Sequence, residues 1–286
     1  MPPTKIYFDT HQWTNCVEAR VPGWTLAGLT DLRAAMLAKI NTGEIEFLGS
    51  QFHIQELSRI PEPYRRPIVQ FFWDTVRWLV LKPTVDLARL EVAVGRALEA
   101  NEPYVTFVEQ QALKRISRDV AQFDALGQQV GAIAAHESAD QERWRTQLRL
   151  DLPRRFPGMT PEQVTRDWWR NAPSILQDWA NDYMAASQAH FGLSADRSTW
   201  PNPTSLPTIR AMIASSLARV FMQFAERRQV GDGDRHDSHH YAAASYADVF
   251  VSEDGALRDT LAQVPNNLVR VITFSDFAGM MGVARH

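Results

Sequence analysis

Two hydrophobic periods alternate along this chain. Lys5-Ile6-Tyr7-Phe8-Asp9 is a β-branched and aromatic run that ends in a carboxylate, which predicts a short buried strand. From Leu26 to Ile40 the spacing becomes helical, with Leu29, Leu32, Met36 and Ile40 on one face, and Asn41-Thr42-Gly43 stops the helix. Glu44 to Leu48 predicts a second strand. Gly49-Ser50 turns the chain, Ser50 is placed to cap, and Gln51 to Ile60 predicts a helix.

Pro61, Pro63 and Pro67 mark a break, and from about residue 68 to 200 the pattern is almost wholly helical. Residues 105–136 suit one long helix or a helix pair. Thr160-Pro161-Glu162-Gln163 is a helix start, with Thr160 as cap, Pro161 at the first helical position and Gln163 closing a capping box. A second break at Pro201, Pro203 and Pro207 precedes a helical stripe of Ile209, Met212, Ile213, Leu217, Val220 and Phe224. The C-terminal part returns to alternation: a helix over 237–247, a strand over 248–252, a strand over 268–274 and a short closing helix over 275–281. No internal repeat is visible. Strands alternating with helices at both ends predict a parallel α/β sheet with crossover helices.

Composition narrows the class. The 286 residues suit one large domain or a domain with a sizeable insertion, and 45% hydrophobic with 22% charged residues excludes a disordered chain. A formal net charge of −3 excludes a strongly basic coat, so any nucleic-acid contact must come from a local patch. The single cysteine, Cys16, permits neither an internal disulfide nor a Cys-rich zinc site and reads as a small buried hydrophobe. The N-terminal residues lack the charged-then-apolar order of a signal peptide. The most apolar stretch, 68–81, is interrupted by Asp74 and Arg77 and is too short to span a bilayer. A cytoplasmic protein with no membrane contact is expected.

The candidate chemistry follows the strands. Asp9 ends the first, Glu56 lies in the helix after the second, Asp237 opens the helix before the third, and Asp254 follows the third. In open α/β sheets, ligand sites form beyond the carboxyl ends of the strands. Four carboxylates gathered there would repel one another unless a cation neutralised them. Hard oxygen donors without Cys favour Mg²⁺ or Mn²⁺. Such ions can hold a phosphodiester, activate a water and steady the leaving oxygen.

Phe8-Asp9-Thr10, Gln55-Glu56-Leu57, and Asp237 followed by Ala242-Ala243-Ala244 and Val249-Phe250-Val251-Ser252-x-Asp254 resemble the PIN domain. The resemblance implies a compact parallel sheet with an acidic, metal-dependent nuclease site. It implies Asp9, Glu56, Asp237 and Asp254 as the ligands of Mg²⁺ or Mn²⁺, and Ser252 as the hydroxyl that steadies the site. It covers roughly residues 4–60 and 207–282. The expected organisation is a PIN-like domain of residues 1–60 and 207–286, interrupted by an α-helical insertion of residues 61–206. That insertion is larger than the family's usual connection, and it could cap the site, form a homodimer or carry a protein partner. The expected function is a metal-dependent endoribonuclease acting on single-stranded RNA.

Plainer readings stand beside these. Asp9 also suits a strand-terminal turn, Asp237 a helix cap, and Glu56 and Asp254 surface charges. Gly231-Asp232-Gly233-Asp234 reads as a solvated loop. His236-Asp237 matches the paired signature of HD-type metal phosphohydrolases, yet that family is all-helical whereas 249–252 reads as a strand. His239 and His240 are expected to contact phosphate or solvent, and His11 and His53 to form a polar rim. Between 141 and 170 seven arginines face four acids, with Trp144, Trp168 and Trp169 interleaved. Arg145 and Arg155 are candidates there for pairing phosphates while the rings stack on bases. The same pattern fits a helical core with a solvated basic face. A catalytically inactive PIN-like module, binding RNA or a protein, is the competing class.

Overall fold

The computed structural model describes residues 2–18, 22–77, 80–99, 102–104, 176–226, 233–262 and 269–284, with single positions between 128 and 160. At 217–226 and 233–238 the description is of the backbone alone. Arg145, Arg155 and nearly all of 141–170 lie outside the described residues, as do nearly all of the helix expected over 105–136 and the helix that Thr160 would cap.

Four parallel strands form one sheet: β1 (Thr4–Phe8), β2 (Ile45–Leu48), β3 (Val249–Val251) and β4 (Arg270–Ile272), in the order β2-β1-β3-β4. Ile6 pairs with Phe47 on one side and Val249 on the other, so β1 is central. Parallel strands are joined through crossover helices, and the sheet accordingly carries helices on both faces. It belongs to the mixed α/β class, which an all-helical HD-type architecture does not match.

Side-chain alternation along β1 assigns the two faces. Ile6 and Phe8 enter one core with Phe47, Val249 and Val251. Packed on it are α1 (Thr10–Glu18), α2 (Leu26–Asn41), α4 (Arg65–Val76) and the closing helix, whose bounds are Phe274–Met280. The stripe expected on α2 is the buried one: Leu29, Leu32, Met36 and Ile40 all face this core. Tyr7 points the other way and joins Leu48 and Phe250 in a second core. That face is covered by α5 (Thr84–Val94), the helical residues 176–186, α7 (Pro207–Glu226) and α8 (Gly233–Ala244). Between α5 and α7 in sequence lies the short helix α6 (Gln188–Phe191). Leu87, Trp179 and Met184, from within the stretch 61–206, thus share one core with the sheet.

A buried carboxylate fastens this second layer. Glu91 on α5 accepts from the Thr208 backbone N–H at 3.0 and 3.1 Å, from Thr208 Oγ1 at 2.7 Å, and from the Tyr246 hydroxyl. Thr208 is the second residue of α7, so the side chain of one helix satisfies the open N-terminal donors of another. Burial pushes the Glu91 carboxyl above its ordinary pKa, and the donated hydrogen bonds from Tyr246 and Thr208 only partly offset this.

Two element bounds depart from expectation with a physical reason. The helix expected over 51–60 is α3 (Gln51–Ser58), which stops ahead of Pro61, whose ring disfavours helical geometry in the residue before it. α8 begins at Gly233, so Asp237 lies in its second turn instead of opening it, and Gly233-Asp234 is helix instead of loop. An acidic residue in a first turn is favoured by the helix dipole, which accounts for Asp234. Helices α1 and α9 (Gly255–Ala262) were not expected.

Candidate functional site

The strand order turns over between β1 and β3: the chain leaves β1 toward β2 on one side and returns to β3 on the other. Crevices at such a switch point are where open α/β sheets bind ligands. Asp9 sits there, one residue beyond β1. Its N–H donates to the Val251 carbonyl at 2.9 Å, extending the pairing with β3 and fixing the residue at the seam. Its carboxylate Oδ2 accepts from Ser252 Oγ at 2.9 Å, and the residue is only 9% exposed.

Burial raises the pKa of the Asp9 carboxyl, but His11 and the charge of His240 outweigh it, and the net shift is downward although Glu56 opposes it. His11 Nδ1 lies 3.9 Å from Asp9 Oδ1, an ion-pair contact too long for a direct hydrogen bond. Asp9 in turn raises the pKa of His11. A nearly buried carboxylate is therefore kept ionised at the switch point.

Ser252 works at both ends. Its Oγ donates to Asp9 and accepts the Asp254 backbone N–H at 3.1 Å. The Asp254 side chain is exposed, and its Oδ1 accepts the Leu257 N–H at 2.9 Å. Leu257 is the third residue of α9, so Asp254 is that helix's N-cap.

Glu56 is reached from the other side of the seam. Its Oε2 lies 3.1 Å from His240 Nε2. A carboxylate only accepts, so His240 donates through Nε2–H. The other ring nitrogen, Nδ1, lies 2.8 Å from the Tyr7 hydroxyl, which lies 2.7 Å from Ser50 Oγ. Burial holds the Tyr7 phenol well above its ordinary pKa, so the hydroxyl keeps its proton. Thr10 Oγ1, 3.5 Å from His240 Nε2, stands at the outer limit of the same contact.

His53 completes the floor. The Ser50 N–H donates to its Nδ1 at 3.0 Å, so Nε2 carries the proton and donates to the Phe8 carbonyl at 2.7 Å. Burial, joined by the His240 charge, depresses its pKa to about 3. The expected polar rim is thus corrected at His53, which is fully buried, neutral and part of the scaffold. His240, expected to face phosphate or solvent, is 2% exposed and turns its nitrogens to Tyr7 and Glu56. His239 is buried as well and stacks on Phe52 at 4.7 Å. The reason is the apolar run Tyr241 to Ala244, which carries this turn of α8 into the core.

Among the described residues no group of three or more His, Cys, Asp or Glu is gathered as a metal cage. The described part contributes Asp9, buried and ionised, and Glu56, close enough to raise the Asp9 pKa. Asp237 lies three residues before His240 on α8, and its side chain is outside the described residues. In donor chemistry these oxygens suit a hard divalent cation and not a soft one.

No family model, no curated protein and no solved structure matches this chain. The site therefore stands on its geometry. Tyr7 is the member that sequence patterning passed over, and Ser50, expected only as a cap, is its partner. A tyrosine inside the run Ile6-Tyr7-Phe8 was the available signal, since a buried phenol needs a partner.

Proposed function

We propose that this chain is a metal-dependent nuclease that hydrolyses phosphodiester bonds of single-stranded RNA, with a PIN-like site at the β1/β3 seam. The observation that carries the reading is Asp9: an ionised carboxylate, almost buried at the switch point, oriented by Ser252 and neighboured by Glu56. Mg²⁺ or Mn²⁺ would be held by Asp9 and Glu56, joined by Asp237 and Asp254. Bound there, the ion supplies positive charge for the phosphate oxygens and acidifies water. Ser252 fixes the rotamer of Asp9, and His240 holds Glu56. Arg145 and Arg155 are assigned to backbone phosphates, on the strength of the Arg-Trp pattern of 141–170.

One observation favours a second reading, an inactive RNA- or protein-binding module. Asp254 caps a helix and Glu56 is paired with His240, so two of the four carboxylates have partners without any cation. One experiment separates the readings. Labelled single-stranded RNA and single-stranded DNA are incubated with the protein and Mg²⁺, Mn²⁺ or EDTA, beside the Asp9→Asn/Asp237→Asn variant. Cleavage of RNA that needs the metal and is lost in the variant is expected. RNA binding without cleavage, equal in both proteins, would establish the binding module instead.

A further inference from the structure

The second core contains a hydroxyl that packing alone does not require. Tyr7 is fully buried in the central strand, where phenylalanine would fill the same space. A buried hydroxyl is costly unless it is bonded. This one has two partners, Ser50 Oγ at 2.7 Å and His240 Nδ1 at 2.8 Å, and the far nitrogen of that histidine reaches Glu56 at 3.1 Å. The rings hardly have room to swing: Tyr7 packs on His53 at 4.7 Å and on Phe250 at 5.7 Å, and His240 packs on His53 at 5.3 Å.

We propose that Tyr7, anchored by Ser50, is a positioning residue that engages Nδ1 of His240 and thereby aims Nε2–H at Glu56, holding that carboxylate in one orientation for a divalent cation. The inference rests on the metal-dependent reading of the same site. Hydroxyls donate and accept, so Tyr7 satisfies Nδ1 whether that nitrogen is bare or protonated, while Nε2–H faces Glu56 in both cases. Partners that orient a ligand from behind set affinity without touching the ion. The segments involved come from β1, the turn after β2, α3 and α8, so the chain of bonds also ties the two halves of the sheet to one carboxylate.

The test has two independent readouts. Long-range ¹H–¹⁵N NMR on histidine-labelled protein is expected to show His240 protonated at Nε2, and Tyr7→Phe is expected to shift its Nδ1 resonance. A bare Nε2, or an unmoved Nδ1, would overturn the proposal whatever the activity. Mn²⁺ titration by calorimetry is expected to give a dissociation constant at least about tenfold weaker for Tyr7→Phe than for wild type. The remote core variant Leu32→Ala, destabilised but distant in sequence and on the other face, keeps the wild-type constant. Equal constants for Tyr7→Phe and wild type would overturn the positioning role. Absence of Mn²⁺ binding by wild type would overturn the metal reading and the positioning role together. Mn²⁺ binding that weakens in Tyr7→Phe, in a protein that cleaves no RNA, would support the positioning role and break the nuclease reading alone.

Discussion

Ser252 Oγ donates to Asp9 Oδ2 at 2.9 Å, joining residues 243 positions apart across the seam between β1 and β3. The same oxygen accepts the Asp254 N–H, so one hydroxyl orients the carboxylate and ties down the turn that leads into α9. Replacing Ser252 with alanine removes both bonds and leaves a buried carboxylate without its nearest donor. A loss of about 2 kcal/mol in unfolding free energy is expected by urea titration. Ser252→Thr keeps the hydroxyl and should retain most of that stability.

Asp9→Asn separates charge from shape. The amide fills the same space, but the ionised carboxylate that Ser252 orients is gone. RNA cleavage in Mg²⁺ or Mn²⁺ should fall by about a hundredfold or more, the scale on which single preorganised electrostatic groups act. Far-UV circular dichroism should be unchanged. Cleavage at the wild-type rate would remove Asp9 from the chemistry.

His53 gives the fold a defined acid sensitivity. It is neutral when folded, with a pKa near 3, whereas in the unfolded chain it binds a proton below about 6.5. Between those values the unfolded state holds the extra proton, so stability falls as pH falls, by about 1.4 kcal/mol per pH unit. Urea midpoints at pH 6.5 and 4.5 should differ accordingly, and His53→Gln should flatten the slope over that window whatever its effect at pH 7.

The Glu91 clasp is the test of the helical layer. Glu91→Ala uncaps α7 and strands the buried hydroxyl of Thr208 and the half-buried hydroxyl of Tyr246. A loss of about 3 kcal/mol is expected in chemical denaturation. Tyr246→Phe should cost less in the Glu91→Ala background than in wild type, because both changes remove the same bond.

The sheet was readable because its strands announce themselves: β1 and β3 are apolar runs that end at Asp9 and Ser252, and a sheet buried on both faces leaves no polar alternation to confuse them. α2 was readable for the opposite reason, since its polar face lets the stripe Leu29, Leu32, Met36, Ile40 stand out. α1 was hidden because Gln12 and Thr14 are buried polar residues that blur its period. α9 had a signal in Asp254 three residues ahead of Leu257, an N-cap spacing that the metal reading of Asp254 overshadowed. The bonds from Tyr7 to His240 and from His240 to Glu56 span 233 and 184 residues. Local pattern carries no information at that separation, whereas the order of the strands does.

That order also has a consequence for how the protein is made. β1 ends at Phe8 and meets its inner neighbour only when Val249 has been synthesised. At about 5–20 residues per second the ribosome needs roughly 10–50 s to deliver it. Through that interval the central strand of the sheet has one edge bare, and Asp9 has neither Ser252 nor His240 beside it. The candidate site is thus assembled only once β3 has been made, and a nascent chain interrupted before β3 lacks the seam between it and β1.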